Sequence, residues 1–142
     1  MTQAEHWNKS YEHPIPATPD KIWQALIDTS SWKHWNPGVK SIALEGAFQA
    51  GTWFSMALPG GEMIRSRLID VAAEKHFTDE TLIGETRVRV DHRIEASGPG
   101  QCQLVYAIRT QGPDAQALGE GISADFPDVM AGLAHYLAEQ KA

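Results

Sequence analysis

Cysteine is almost absent from this chain of 142 residues, which contains Cys102 alone. A single cysteine cannot form an intramolecular disulfide, and it cannot supply the several thiolates of a cysteine-based structural metal site. Proteins with this cysteine usage commonly work in a reducing compartment, so we expect a cytoplasmic location.

Long apolar runs are also missing. No stretch approaches the roughly 18 apolar residues that a membrane-spanning helix needs. The opening residues MTQAEHWNKS lack the basic and then apolar regions of a signal peptide. We therefore expect a soluble protein without membrane insertion.

Positive charge is in short supply, with 12 Lys and Arg residues against 18 Asp and Glu residues and a net charge of -6. This excess of negative charge argues against general affinity for nucleic acid phosphates or anionic membrane surfaces, because both are negative themselves. We expect no nucleic acid partner, although a local basic patch is compatible with the composition.

The sequence patterns of metal and nucleotide chemistry are missing too. Neither the HExxH nor the HxH spacing of zinc sites occurs. The phosphate-binding loop and the dinucleotide pattern GxGxxG before a helix are also absent. We therefore expect neither a bound metal nor a cofactor. The six histidines are dispersed: His6, His13, His34, His76, His92 and His135.

Residues 15–39 have the strongest local signals. Thr18 is suited to a helix N-cap, Pro19 to the first helical position, and Asp20 to the first turn, where free backbone N-H groups attract a carboxylate. A second, Trp-rich turn follows this predicted helix. The apolar positions of the helix recur at i, i+3 and i+4, as one stripe that packs on a sheet: Trp23, Leu26 and Ile27.

Outside these two helices, the chain as far as residue 111 has runs typical of β-strands. Gly-containing turns at residues 45–46, 59–61 and 97–100 separate several of the runs. Since the connections are too short for crossover helices, we predict antiparallel neighbours. The seven predicted strands cover residues 7–15, 39–44, 52–58, 62–71, 76–83, 86–96 and 101–111.

The last segment, residues 113–142, changes to helical spacing, which predicts a long closing helix. Gly119 and Gly121 weaken its first half, and Pro127 cannot donate a hydrogen bond to the preceding turn. We therefore predict a break or kink near residues 124–126. The apolar face of the helix comprises Leu118, Ile122, Met130, Leu133 and Leu137.

This order of elements, with the local sequences PDKIWQALID, WKHWNPGV and GTWFSMALPGG, resembles the START-like (SRPBCC) superfamily, which includes the Bet v 1 and polyketide cyclase/dehydrase-like proteins. The resemblance covers nearly the whole chain, so we expect one domain over residues 1–142. It implies an α+β helix-grip fold: a curved, seven-stranded antiparallel sheet around a long C-terminal helix, with two short helices between strands 1 and 2. It also implies a hydrophobic pocket for a lipid-like or polyketide-like ligand, with or without cyclase or dehydratase chemistry.

Strand alternation sorts the side chains by face, since residues two apart point the same way. Residues 86–95 divide most clearly, with charged side chains on one face and a mainly apolar row that includes His92 on the other. The alternative to a pocket is an ordinary filled core, which needs the same apolar inward face. The predicted ligand-binding residues are Trp35, Phe54, Met56, Leu58, Ile64, Ser66, Leu68, Val90, His92, Tyr106, Ile108, Phe126, Met130 and Leu133.

One enzymatic hypothesis uses two polar members of these rows. His92 would act as the catalytic general acid or base, and Tyr106 as a proton donor or orienting group. The alternative for His92 is a buried imidazole whose hydrogen bonds are satisfied by neighbours. Asp79 and Glu80 are further acids nearby, but the alternation there leaves open which of them points inward.

Two surfaces have alternatives of their own. Trp32 and Trp35 are expected to plug one end of the sheet, or else Trp35 forms the pocket rim. Outward arginines predict either a solvated, ion-paired face or an anion-binding stripe. These arginines are Arg65, Arg67, Arg87, Arg89 and Arg93.

A function of a different class is a protein-interaction module resembling the activator of Hsp90 ATPase. A large external apolar patch near Trp32, Trp35 and the 59–61 hairpin would favour such a partner, whereas a closed exterior would favour an internal ligand. An edge strand of an incomplete barrel would also offer a seam for a homodimer.

Overall fold

The computed structural model describes residues 5–140. All seven strands of this part belong to one sheet, in the order β1-β7-β6-β5-β4-β3-β2, and all neighbours are antiparallel. The predicted helix-grip fold is therefore confirmed. The elements are β1 (His6–Ile15), α1 (Pro19–Ile27), a 3-10 turn (Thr29–Ser31), α2 (Trp32–Trp35), β2 (Ser41–Leu44), β3 (Trp53–Ala57), β4 (Met63–Ala72), β5 (His76–Ile83), β6 (Thr86–Gly98), β7 (Gln101–Gln111), α3 (Ala115–Ser123) and α4 (Phe126–Gln140).

Short connections set the register of the central strands. Ile83 pairs with Thr86 across a two-residue turn between β5 and β6. Phe77 therefore lies opposite His92, and His92 lies opposite Tyr106 on β7. Directly opposite residues share a face, so three neighbouring strands present these rings to the same side of the sheet.

The helix α1 starts where the sequence predicts. It begins at Pro19 after Thr18 at the N-cap, because a proline at this position loses no helical hydrogen bond. Of the predicted stripe, Trp23 and Leu26 are buried, and Ile27 is partly buried against the same core. The stripe covers one end of the sheet.

The closing helix is interrupted at the predicted place. The helix α3 ends at Ser123, and α4 begins at Phe126. Pro127 occupies the first turn of α4, where its missing N-H removes no helical bond. Met130 and Leu133 are fully buried, so α4 is anchored in the hydrophobic core. The Val129 N-H donates to the Asp125 carbonyl at 2.9 Å, which ties the joint to the first turn of α4.

Two glycines allow the closing helices to approach their neighbours closely. A Cβ at Gly119 in α3 would collide with the ring of Trp7 on β1. A Cβ at Gly132 in α4 would collide with the backbone carbonyl of Trp35. Both positions therefore need glycine, because interiors are packed without room for an added methyl group.

Strand boundaries differ from the prediction by two residues or fewer. The strand β2 begins at Ser41 instead of residue 39, because the Val39 N-H donates to the Asn36 carbonyl at 3.1 Å in the preceding turn. The strand β6 continues to Gly98 instead of residue 96, past an irregularity in its register with β7.

Candidate functional site

A cavity of about 570 Å³ lies between the concave face of the sheet and the segments α2 and α3–α4. This volume is within the range of roughly 300 to 1,000 Å³ that small-molecule pockets occupy. The exposed residues Pro59, Glu62 and Ala124 are also part of its lining, so it opens between the β3–β4 hairpin and the helix joint. Its aromatic lining consists of Trp32, Trp35, Phe77, Tyr106 and Phe126.

The structure divides the predicted ligand-binding residues into two groups. All of them face inward, but inward orientation does not separate a pocket wall from ordinary packing. Nine line the cavity: Trp35, Met56, Leu58, Ile64, Ser66, Val90, His92, Tyr106 and Phe126. The other five are packed in the hydrophobic core, covered by neighbouring side chains: Phe54, Leu68, Ile108, Met130 and Leu133.

Trp32 and Trp35 combine the two predicted alternatives. Both are buried at one end of the sheet, and both line the cavity. Trp32 Nε1 donates to the Leu26 carbonyl at 2.9 Å, and Trp35 Nε1 donates to Ser31 Oγ at 3.0 Å. Since their only donors are used inside the fold, the indoles offer the cavity apolar ring surface.

His92 is held in the cavity wall between two aromatic rings. The Phe77 ring stacks on the imidazole with centroids 4.0 Å apart, and the Tyr106 ring meets it edge-on at 4.5 Å. His92 Nδ1 donates to the Phe77 carbonyl at 3.3 Å, which leaves Nε2 as the acceptor of a neutral ring. Burial lowers the pKa of His92 to about 4, so the ring is neutral at pH 7.

Asp79 on β5 is the acid whose direction the alternation left open, and it faces the cavity. It lies opposite Val90 of the inward row. Within residues 5–140, no side chain forms a hydrogen bond or ion pair with its carboxyl group. Burial raises the pKa of Asp79 to about 7, because an ionised carboxylate in an apolar wall loses its hydration. This group therefore exchanges its proton near neutral pH.

Tyr106 and Asp125 are two further titratable groups of the cavity lining. Burial raises the pKa of the Tyr106 hydroxyl, and the charges of Asp79 and then Asp125 raise it further. Tyr106 is therefore a protonated hydrogen-bond donor. Asp125 lies in the joint between α3 and α4, and burial, with a smaller effect of Asp128, raises its pKa. A Cβ at Gly38 would lie 2.9 Å from Asp125 Oδ2, so a glycine there makes room for this carboxylate.

Ser66 and Thr81 are the remaining hydroxyl groups of the cavity wall. They lie opposite each other on β4 and β5, and their hydroxyl oxygens are 2.6 Å apart in a mutual hydrogen bond. These two hydroxyls bond to each other, and neither forms a hydrogen bond with Asp79.

Glu80 points to the opposite, outward face of the sheet. It accepts a hydrogen bond from Arg89 Nε at 2.9 Å, and Arg87 Nε lies 3.5 Å away. The two arginines are about half exposed, which is typical of a solvated face whose ion pairs contribute little. The other outward arginines have partners as well: Arg65 pairs with Glu45, Arg93 with Asp91, and Arg67 with the ring of Trp53.

A family comparison adds to this geometry. Residues 6–138 match the family described as polyketide cyclase/dehydrase and lipid transport. The chain belongs to this family. No curated protein matches it in sequence.

Solved structures share the fold of this polyketide cyclase/dehydrase family member at low identity. A point mutant of Thalictrum flavum norcoclaurine synthase, in complex with a transition-state analogue, aligns over 100% of both chains with a TM-score of 0.79 and 15% identity. Ara h 8.0201 aligns over 95% of this chain and 99% of its own, with a TM-score of 0.76 and 13% identity. A Staphylococcus aureus protein of unknown function aligns over 97% of each chain, with a TM-score of 0.79 and 12% identity. These likenesses show a Bet v 1-like fold.

Sequence reasoning named Asp79 of this family member as a possible acid but left its direction open, although a signal for the direction was present. Gly84 and Glu85 are a two-residue connection between strands, which pairs Ile83 with Thr86. Counting back from that pair places Asp79 opposite Val90, which belongs to the row predicted to face inward. Since directly opposite residues share a face, Asp79 faces inward as well. Alternation within β5 alone was ambiguous because both of its faces contain polar residues.

The described part of the chain has neither a metal-binding cluster nor a membrane-spanning helix. No group of three or more His, Cys, Asp or Glu side chains within residues 5–140 is placed to hold a metal ion. None of the helices there is long and apolar enough to cross a bilayer.

Proposed function

We propose that this member of the polyketide cyclase/dehydrase and lipid transport family binds a small hydrophobic or aromatic molecule, lipid-like or polyketide-like, inside the cavity. The observation that carries the proposal is the cavity itself: about 570 Å³, with mainly apolar and aromatic walls and a few polar groups among them. Such a composition is typical of small-molecule sites, in which apolar walls supply affinity and sparse polar groups fix orientation.

The burial of the tryptophans favours this proposal over a protein-interaction module. Trp32 and Trp35, which an external patch would have exposed, are 5% and 4% accessible. Among the described residues, the exposed large hydrophobic side chains are Met63 and Leu82, which lie on two different strands. These two strands are neighbours in the sheet, but two side chains are too few for the large apolar patch that marks a protein-interaction site.

A cavity-filling variant tests ligand binding. Val90→Phe adds a ring inside the cavity, whereas Leu82→Phe adds the same ring on the exposed face of the same sheet. With the neutral fluorescent probe N-phenyl-1-naphthylamine, we expect saturable binding to the wild type and to Leu82→Phe, and at least about tenfold weaker binding to Val90→Phe. Equal binding to all three proteins would place the probe outside the cavity and contradict the proposal.

A second candidate function is cofactor-independent acid–base chemistry on the bound molecule, of the cyclase or dehydratase type. It is favoured by the unpaired carboxyl group of Asp79, which faces the cavity and titrates near neutral pH. His92 presents the unprotonated Nε2, and Tyr106 is a proton donor. We propose Asp79 as the general acid or base, with His92 and Tyr106 as catalytic partners that hold the reacting group by hydrogen bonds.

Turnover assays on the molecule recovered from the purified protein test this second candidate. Asp79→Asn should lower the turnover rate by about 10² to 10⁴, the usual contribution of a positioned acid or base. Glu80→Gln, the outward neighbour, should leave the rate unchanged. His92→Ala should also abolish turnover while ligand affinity stays within a few fold. Unchanged turnover in Asp79→Asn would remove Asp79 from the mechanism, and the same result in His92→Ala would remove His92.

We also propose a cytoplasmic location and a homodimer for this protein. The single cysteine supports a cytoplasmic location. The strands β1 and β2 lie at the two ends of the sheet order, so either edge supports a homodimer formed by strand pairing. Light scattering after size-exclusion chromatography tests the dimer, which predicts twice the chain mass of 15.6 kDa.

A further inference from the structure

The charges around the cavity are all of one sign. Three of its lining residues are acidic, namely Glu62, Asp79 and Asp125, and neither lysine nor arginine occurs among the described lining residues. His92 is the remaining titratable nitrogen, and its ring stays neutral at pH 7 because burial lowers its pKa to about 4. The cavity therefore has negative charge available and no cation of its own.

The cations of the sheet do not reach Asp79. Arg87 and Arg89 alternate with the inward row of β6 and pair with Glu80 on the outer face. The hydroxyls of Ser66 and Thr81, which also line the cavity, are bonded to each other at 2.6 Å. An ionised Asp79 thus has no partner from the described chain, and a buried charge is costly unless something pairs with it.

The walls around this carboxyl group suit a cation with an apolar body. Aromatic ring faces attract cations, and the cavity is lined by the rings of Trp32, Trp35 and Phe126 in addition to those beside His92. An anionic ligand such as a fatty acid would bring its carboxylate into a cavity that already holds three acidic groups, with no donor cation to receive it.

We infer that the ligand carries a positively charged group, such as a protonated amine, on an apolar or aromatic body, and that this group pairs with Asp79 inside the cavity. The inference rests on the proposed ligand-binding function and names the chemical class of the ligand. Charge-assisted hydrogen bonds in a water-poor site are stronger than neutral ones, so the pair would contribute both affinity and selectivity.

Three probes with one ring system and different head groups test this inference by isothermal titration calorimetry at pH 8. The probes are 2-(1-naphthyl)ethylamine, 2-(1-naphthyl)ethanol and 1-naphthylacetate. We expect the amine to bind about ten- to a hundredfold more tightly than the alcohol, and the carboxylate to bind most weakly. Asp79→Asn should reduce the affinity for the amine to that for the alcohol, and Glu80→Gln should change neither.

The outcomes separate this inference from the proposed function. If the carboxylate binds as tightly as the amine, or if Asp79→Asn leaves the affinity for the amine unchanged, the inference is overturned while ligand binding stands. If none of the three probes binds, both are overturned.

Proton release from the wild-type protein provides a readout that does not depend on a variant. At pH 7 about half of the Asp79 carboxyl groups hold a proton, since burial raises the pKa to about 7. Pairing with the amine would expel it, so titrations in two buffers of different ionisation enthalpy should show release of about half a proton per amine bound. Tyr106 and His92 also line the cavity, but neither of them titrates near this pH. Asp125 and Glu62 lie near the opening of the cavity. Release of no proton, or equal release with the alcohol, would overturn the inference.

Discussion

Replacing Asp79 by asparagine should stabilise the ligand-free protein, and the gain should increase with pH. The carboxyl group ionises near its ordinary pKa of 3.8 in the unfolded chain, whereas burial raises the pKa in the folded protein to about 7. Between these pH values the unfolded state has lost the proton and the folded state retains it. The free energy of unfolding of the wild type therefore falls as the pH rises through this window, and the full cost is present above pH 7.

The size of the effect follows from the same two values. The interval from 3.8 to about 7 is roughly three pKa units, and each unit corresponds to about 1.4 kcal/mol, so the cost at pH 8 is about 4 kcal/mol. At pH 5 the pH is only roughly one unit above the pKa of the unfolded state, so the cost is about 1.5 kcal/mol. Asparagine has nearly the same shape and no charge. Any loss from its unpaired amide is the same at both pH values, so the gain from Asp79→Asn should increase by about 3 kcal/mol between pH 5 and pH 8.

Urea unfolding of the wild type, Asp79→Asn and Glu80→Gln at pH 5 and pH 8 measures this difference. His92 has the opposite dependence: burial lowers its pKa from 6.5 to about 4, so its contribution to stability is lost as the pH falls through that window. That contribution is common to all three proteins and cancels in the comparison. A gain for Asp79→Asn that is equal at both pH values would refute the assignment of Asp79 as a partly buried, unpaired carboxyl group in the cavity wall. Glu80→Gln is the matched control, because its carboxylate lies on the opposite face of the sheet and pairs there with Arg89.

Two further predictions concern packing. Gly119→Ala should lower the free energy of unfolding by about 1 to 3 kcal/mol, since its methyl group would collide with the Trp7 ring. Gly121→Ala, in the same helix but with open space at its Cβ, should instead raise that free energy by up to about 1 kcal/mol, and equal effects in chemical denaturation would contradict the close approach of α3 to β1. Cys102 should react with a chromogenic disulfide reagent far more slowly in the folded protein than in urea, because it is buried and burial raises the pKa of its thiol. Equal labelling rates in the two states would show that the strand bearing Cys102 is accessible.

The sequence predicted the order of elements well, because each element has strong local signals. The inward row of β6 alternates strictly with charged residues, and the helix break coincides with Pro127 in the chain. Thr18 and Pro19 locate the start of α1 for similarly local reasons. The antiparallel pairing of consecutive strands followed from their short connections, whereas the pairing of β1 with β7 joins the two ends of the strand sequence and is a tertiary relation.

The boundary between pocket wall and filled core was beyond local reasoning. Phe54 and Met56 are two apolar residues of one strand that face the same way, yet Phe54 is covered by Trp32, with ring centroids 6.3 Å apart, and Met56 lines the cavity. That difference depends on where α2 crosses the sheet, which is a tertiary relation. The direction of Asp79 was left open for a different reason, since the register of its hairpin could have assigned it to the inward face.

The central claim is that the cavity holds a small molecule, and native mass spectrometry of the gently purified protein tests it most directly. The bound species would be released by denaturation and identified by its own mass. The account predicts a stoichiometric adduct on the 15.6 kDa chain that is lost in Val90→Phe and retained in Leu82→Phe. A retained adduct in Val90→Phe would place the molecule outside the cavity and contradict the claim. So would an apo mass for the wild type that persists after incubation with all three naphthyl probes.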